Sequence, residues 1–460
     1  MMNEQQQTAS AASSRINAPS SLVPKRVVLS TFGSFGDIHP YVALALELKA
    51  RGHHPVIATS EIYREKTDAL GLELHPVRPV VPSYDEPDVI APLIEKMMDA
   101  RTGTEEVFKT FIIPHLRDTY DDLLAAVRGA DLFVTHPLTI PGPSVAERTG
   151  VRWVSSVLAP GSMLSVYDPP VPPQFPPLHR VMMLHPAVGR ALMQLGKWKW
   201  GAMWKALDRL RADVGLAPSN AHPLFEGQHS PTLVLALFSR VLADPQPDWP
   251  PRTLVTGFPF YDRRDRAGDN DDIASEGNNL SPALADFLDA GEPPIIFTLG
   301  SSAIWVAKDF YRESIAAARA LGRRALLLIG HERNRQAEPL PAGVAAFEYA
   351  PYGEVLPRAC AVVHQGGVGT TGQALCAGRP ALVVPFSHDQ FDNGARVARL
   401  GCGRVLARGR YNAASATREL RAILDNETYQ TAATEIGRRV QAEDGTRAAC
   451  DAIEEVLGRA

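Results

Sequence analysis

Apolar positions along the chain fall into short runs, each closed by glycine or proline and followed by a helical stretch. Residues 25–32 are apolar or β-branched after Lys25 and Arg26, save Ser30, and stop at Gly33, so they read as a buried strand. Residues 40–51 carry apolar side chains at Val42, Leu44, Ala45, Leu46 and Leu48 before Gly52, which predicts a helix. His54–Thr59 is the next strand. Strand, glycine turn, helix, strand is a βαβ unit and implies a parallel sheet. Further strands are expected at Leu132–Thr135 and 153–157. The pattern restarts later in the chain. Residues 294–299 form a strand ended by Gly300-Ser301-Ser302, residues 308–321 a helix, and residues 325–329, 361–364 and 381–385 further strands. The expected fold class is α/β, with two doubly wound Rossmann-like domains facing each other across a cleft. In such sheets ligands sit beyond the carboxyl ends of the strands.

What lies between these patterns sets the domain limits. Residues 262–279 (DRRDRAGDNDDIASEGNN) are polar, charged and almost free of apolar side chains, as an interdomain linker would be. Ser281-Pro282 then reads as an N-cap followed by proline at the first helical position. The expected division is a disordered tail over 1–23, an N-terminal domain over 24–261, a linker over 262–280 and a C-terminal domain over 281–460, with the last helix able to pack back on the N-terminal domain. The tail lacks the apolar core of a secretory signal, and no apolar run approaches the ~18 residues of a membrane span.

Composition narrows the function classes. A net charge of −4 leaves no basic footprint for nucleic acid. Four cysteines, none in a CxxC pair, argue against a zinc or disulfide framework and for a reducing cytoplasm. The 38 prolines concentrate at residues 160–177 and 245–259; the first block is a stiff loop after a strand end.

Two glycine loops carry the candidate chemistry. The first, GSFGDIHP (33–40), lacks the third glycine of a dinucleotide loop and no acidic residue closes the next strand, so a nicotinamide site is disfavoured. It places Asp37 and His39 at a helix entry. From the loop alone Asp37 reads first as a helix cap and second as a catalytic acid or base. The second loop, HQGGVGTT, joins a strand to an expected helix over 371–377. It offers the backbone of Gly366, Gly367, Val368 and Gly369, the hydroxyls of Thr370 and Thr371, and the side chains of His364 and Gln365. Such a loop suits a diphosphate held by N–H groups and a helix N-terminus; without a lysine after the glycines it is no ATPase P-loop. Beyond the next strand, Asp389, Gln390 and Asn393 are groups that grip sugar hydroxyls. Tyr349 offers an aromatic face to a nucleobase, although for an isolated tyrosine ordinary packing is the better reading.

Residues 349–403 resemble the donor-binding motif of family 1 nucleotide-sugar glycosyltransferases of the GT-B fold. The resemblance rests on Tyr349, the glycine–threonine loop, Gly378-Arg379-Pro380, and Asp389-Gln390 with Asn393. The stretch 31–59 is similar to the opening of the family's acceptor domain, and likeness runs from about residue 25 to 457. It is strongest to bacterial members, rhamnosyltransferases of rhamnolipid synthesis included. The resemblance implies that Asp37 is the general base. It also implies that Thr370, Thr371 and the backbone of Gly367–Gly369 hold the diphosphate, with Ser301 or Ser302 closing on it. Tyr349 would stack on uracil or thymine, and Asp389 and Gln390 would bind the donor sugar. Many members have His where Gln365 stands, so His364 and Gln365 both remain phosphate candidates. The implied reaction is inverting transfer of a hexose, glucose or rhamnose, from a UDP- or dTDP-sugar.

Asp37 as a base needs its pKa tuned upward, with His39 and His136 as candidate partners; His136 alone reads more simply as a structural histidine. No cofactor or metal is expected: Asp269-Asn270-Asp271 matches a metal-binding DxD pattern but sits in the linker, and the helix dipole would do a metal's work. Residues 182–210 are rich in Met and Trp, interleaved with Lys197, Lys199 and Lys205 as on interfacial helices. This leans toward a small apolar acceptor (lipid, sterol, polyketide or phenolic) and a cytoplasmic enzyme with peripheral contact at the inner membrane face. The competing classes are a GT-B sugar-nucleotide 2-epimerase and a non-catalytic member that binds a lipid or partner.

Overall fold

The computed structural model describes residues 23–82, 86–261, 280–336 and 339–458. The expected tail over 1–23, the expected linker over 262–280 and Asp269-Asn270-Asp271 lie outside the described residues, save for Val23 and Leu280 at the limits.

Two parallel sheets organise the chain. The first contains β1 (Arg26–Ser30), β2 (His54–Thr59), β3 (Glu73–Pro76), β4 (Leu132–Thr135), β5 (Arg152–Val157), β6 (Val234–Ala236) and β7 (Thr253–Val255). Its order is β3-β2-β1-β4-β5-β6-β7. The second contains β8 (Ile295–Thr298), β9 (Ala325–Leu328), β10 (Val344–Phe347), β11 (Ala361–His364), β12 (Ala381–Val383) and β13 (Gly403–Val405), ordered β10-β9-β8-β11-β12-β13. Central strands such as Val27-Val28-Leu29 and Ile295-Ile296-Phe297 are fully buried, as sheets covered on both faces require. Each order reverses direction once, between β1 and β4 and between β8 and β11. These reversals open the crevices where doubly wound sheets bind ligands.

The helices that matter for the site are α1 (Phe35–Ala50), α2 (Pro186–Gly201), α3 (Gly300–Ala303), α4 (Val368–Cys376), α5 (Gln390–Arg399) and α6 (Gly445–Gly458). Two start earlier than their apolar spacing predicts. α1 begins at Phe35 rather than residue 40, because Ser34 and Asp37 cap it reciprocally. Pro40 therefore lies one turn inside, where its missing N–H deprives only the carbonyl of the exposed Gly36. α4 begins at Val368 rather than residue 371, with Gly367 as its N-cap, so Thr370 and Thr371 belong to its first turn.

The two halves meet at several places. α6, the last helix, packs on α1: the Cys450 thiol lies 3.7 Å from the Leu44 carbonyl, and Arg51 pairs with Asp451 and Glu454. The proline-rich loop ties the two halves together. Its Val171 N–H donates to Asp392 at 3.1 Å, and its Asp168 pairs with Arg396 and Arg399 on α5. All four cysteines are free thiols. Among the described residues no helix is long and apolar enough to cross a membrane.

Candidate active site

The candidate residues gather at the two crevices. On the N-terminal wall, Asp37 is the third residue of α1. Its Oδ2 accepts the Ser34 N–H at 2.8 Å and the Ser34 hydroxyl at 3.2 Å. Gly33 makes this turn possible: with φ +138° it has no side chain, and a Cβ there would lie 2.2 Å from Asp37 Oδ2. The Tyr63 hydroxyl donates to the Gly33 carbonyl at 2.7 Å and Thr31 to the Asp37 carbonyl at 3.1 Å, which fixes the loop.

Asp37 is thus a cap, but not only a cap. A third of its side-chain surface (33%) stays open, although protein atoms crowd it. That crowding raises its carboxyl to about 6, against the two Ser34 hydrogen bonds that favour the charged form. His136, at the end of β4, places Nε2 3.8 Å from Asp37 Oδ1. Its Nδ1 accepts the Leu138 N–H at 3.1 Å, so the ring's proton sits on Nε2, facing the carboxylate. Burial lowers His136 to about 3, which keeps it neutral. His39 is not brought to Asp37. Its ring packs edge-on against Tyr261, burial and Lys66 lower it to about 3, and its Nε2 is buried without a partner.

The opposite wall is built from the ends of β8, β11 and β12. α1 touches both α3 and α4 across the crevice. Gly300 opens α3 at φ +63°, and a Cβ there would lie 2.3 Å from Gln365 Nε2. Ser301 and Ser302 follow, partly exposed. His364 and Gln365 differ sharply. His364 is fully buried, accepts the Gly366 N–H on Nδ1 at 3.1 Å, and is lowered by burial to about 4. It pins the glycine turn. The Gln365 amide instead lies between Gly300, Gly367 and Thr370, where the two loops meet. Thr371 is fully buried and its hydroxyl has no partner.

Asp389 stands at the N-terminus of α4. Its Oδ2 accepts the Val368 N–H at 3.2 Å and the Asn393 amide at 2.7 Å. Burial raises it to about 7, the charge of Asp37 pushes the same way, and the Asn393 hydrogen bond opposes them. Two carboxyls from opposite walls therefore sense each other. Gln390 is turned inward: its carbonyl accepts the Phe386 and Ser387 N–H groups at 2.8 and 3.1 Å. Asn393 donates to the Gly366 carbonyl at 2.9 Å, tying α5 to the glycine loop. Tyr349 is 38% exposed, whereas the neighbouring Tyr352 hydroxyl is 2.7 Å from Thr298.

Behind His136 lies a cavity of about 230 Å³, lined by Thr139, Ile140, Trp204, His222 and Gln228 among others. The end of the tryptophan-rich segment is core: Trp204 is 4% exposed and packs edge-on against Phe108, as does the partly buried Trp200. Residues that sequence reasoning passed over are Ser34, Asp168, Asp392 and Arg396. Only Ser34 leaves a sequence signal, the capping-box spacing Ser34-x-x-Asp37.

Two family models match the chain. The glycosyltransferase family 28 N-terminal domain matches residues 27–122, and the erythromycin biosynthesis protein CIII-like C-terminal domain matches residues 313–454. The O-mycaminosyltylonolide 6-deoxyallosyltransferase of Streptomyces fradiae is 30% identical over 445 residues, covering 94% of this chain and 97% of that protein. A sterol 3-beta-glucosyltransferase of Neosartorya fischeri is 27% identical over 447 residues; these cover 93% of this chain but 29% of that longer protein. In fold, the chain is similar to the glycotransferase of kitacinnamycin (TM-score 0.67, 22% identity, 94% and 99% coverage). It is also similar to the spinosyn rhamnosyltransferase SpnG (TM-score 0.62, 16% identity, 94% and 100% coverage).

Proposed function

The chain belongs to the family 1 nucleotide-sugar glycosyltransferases of the GT-B fold, and on that premise we propose that it transfers a hexose from a UDP- or dTDP-sugar to a hydroxyl of an apolar acceptor, with Asp37 as general base. One observation carries the reading: a carboxylate of raised pKa on one wall faces a helix N-terminus on the other, with Asp389 beside it. The diphosphate sits at the first turn of α4, whose N–H groups have no partners within the helix and whose dipole favours negative charge. The Gln365 amide, the Thr370 hydroxyl and Ser301 or Ser302 add donors. Asp389, held by the buried Asn393, borders the donor sugar, and Tyr349 stacks on the base.

Asp37 takes the proton of the acceptor hydroxyl as that oxygen attacks the anomeric carbon from the side opposite the diphosphate. The bond to the phosphate oxygen breaks, the nucleoside diphosphate leaves with the electron pair, and the anomeric configuration inverts. Neutral His136 turns its Nε2–H toward the Asp37 carboxylate from 3.8 Å, beyond hydrogen-bond distance, and walls that side of the base. The apolar character of the acceptor is supported by the names of the relatives, which act on O-mycaminosyltylonolide and on sterols. No metal or cofactor is required by this scheme, because α4 supplies the charge stabilisation at the leaving group.

Two measurements test it. A base works only when ionised, so turnover should rise with pH through an inflection near 6, the raised pKa of Asp37, and level off above it. A rate that falls as pH rises through the same point contradicts the assignment. In a thermal-shift panel of UDP, dTDP and their sugars, the bound nucleotide should raise the unfolding midpoint by mass action. A response to dTDP alone selects a dTDP-sugar donor, a response to UDP alone a UDP-sugar, and a response to neither contradicts the proposal.

A further inference from the structure

One stretch of the N-terminal domain departs from the rest of the chain in charge and in surface. Residues 169–207 contain no Asp or Glu in a chain that has 51 of them, yet carry Arg180, Arg190, Lys197, Lys199 and Lys205. The same stretch leaves large apolar side chains in solvent: Leu184 is 76% exposed, Trp198 78%, Phe175 59% and Leu195 58%. On α2, Leu195 and Trp198 are three residues apart and share a face. Arg190 lies on the same stripe as Trp198, two turns before it, and Lys199 follows Leu195 by one turn. Lys197 turns the other way, to Glu226 and the Phe225 ring. The segment thus combines exposed apolar side chains with the exposed cations Arg180, Arg190, Lys199 and Lys205.

We propose that this face, from Phe175 to Lys199, docks onto an anionic lipid bilayer. Apolar side chains gain by entering the acyl boundary, an indole settles at headgroup depth, and the cations are attracted to a negative leaflet surface. The charge pattern decides among occupants: a run of 39 residues with no carboxylate repels a second copy of itself and suits an anionic partner. Docking would also serve the reaction. α2 leads into the wall of the cavity behind His136, through Gly201 and Trp204, so the acceptor side would face the phase in which an apolar acceptor dissolves. That consequence rests on the proposed sugar transfer; the docking itself does not, and it is read without any activity assay.

The test is co-sedimentation of the full chain with vesicles of phosphatidylcholine alone and of phosphatidylcholine with one quarter phosphatidylglycerol. Binding to the mixed vesicles should exceed that to phosphatidylcholine by about tenfold or more, and should fall about as much when salt is raised to screen the charges. The double variant Leu184→Ser/Trp198→Ser should lose binding about tenfold, and Arg190→Glu/Lys199→Glu should lose it with the apolar residues intact. If the first variant fails to fold, the second decides. The inference is overturned by three outcomes: no binding to the mixed vesicles, equal binding to both kinds, or self-association in sedimentation velocity that the variants abolish while vesicles capture nothing.

Discussion

Replacing Asp37 by Asn should lower kcat/KM for sugar transfer by about a thousandfold, within the 10²–10⁴ range that a positioned general base contributes. The substitution separates the two roles that the structure gives this residue. As a cap, Asp37 accepts the Ser34 N–H and hydroxyl, and an amide oxygen can accept both in its place. Gly33 leaves room for either side chain, so the turn keeps its shape. As a base, Asp37 must take a proton, which an amide cannot do. The unfolding midpoint should therefore move by no more than a few degrees while turnover collapses. If Asp37 were only a cap, the rate would stay near that of the unaltered chain, and the assignment would fall.

Removal of Arg396 should give the largest loss of stability. Its side chain is 3% exposed, bonds Asp392 at 2.7 Å and the Leu242 carbonyl at 3.1 Å, and pairs with Asp168 of the proline-rich loop. Asp392 is itself 4% exposed. Arg396→Ala would strand that carboxylate without its cation, and breaking a buried pair from one side costs about 3–5 kcal/mol. For domains of this size that lowers the unfolding midpoint by on the order of 10 °C. The effect should reach the donor as well, because Arg396 belongs to α5, whose first turn sets Gln390 and Asn393 against the glycine loop. The KM for the nucleotide sugar should rise together with the loss of stability. Asp168→Asn should cost much less, since Arg396 keeps Asp392. An Arg396→Ala protein that melts within a degree of the unaltered chain would show that the network is dispensable.

The strands and glycine loops were legible in the sequence because their causes are local. Apolar β-branched runs such as 27–29 and 295–297 read as buried strands, and glycines such as Gly33 and Gly300 mark backbone that a side chain would obstruct. Helix starts were less legible. The caps of α1 and α4 are small or polar residues (Ser34 with Asp37, and Gly367), which apolar spacing assigns to loops, so both helices begin three to five residues early. Partnerships across the sheet were only partly legible, since a strand-end position made His136 a candidate but could not choose it over His39. His136 reaches Asp37 only because β4 pairs with β1, and His39, its equal as a candidate beforehand, faces Tyr261 instead. The same holds for Asp168 and Arg396, which in sequence are a proline-loop acid and one more helical arginine. Nor could spacing tell which tryptophans are core: Trp204 is buried, and Trp198, six residues away, is the most exposed large apolar residue among those described.

The central claim is that the crevice between the two sheets holds a nucleoside diphosphate against α4 while Asp37 faces the sugar. Titration calorimetry with UDP and dTDP in the presence of a chelator tests it most directly. The unaltered chain should bind at least one of the two, and Gln365→Leu/Thr370→Val should weaken that binding about tenfold or more by removing two donors at the meeting of the loops, about 1.4 kcal/mol at the least. Failure of both nucleotides to bind, or equal affinity in the double variant, would contradict it.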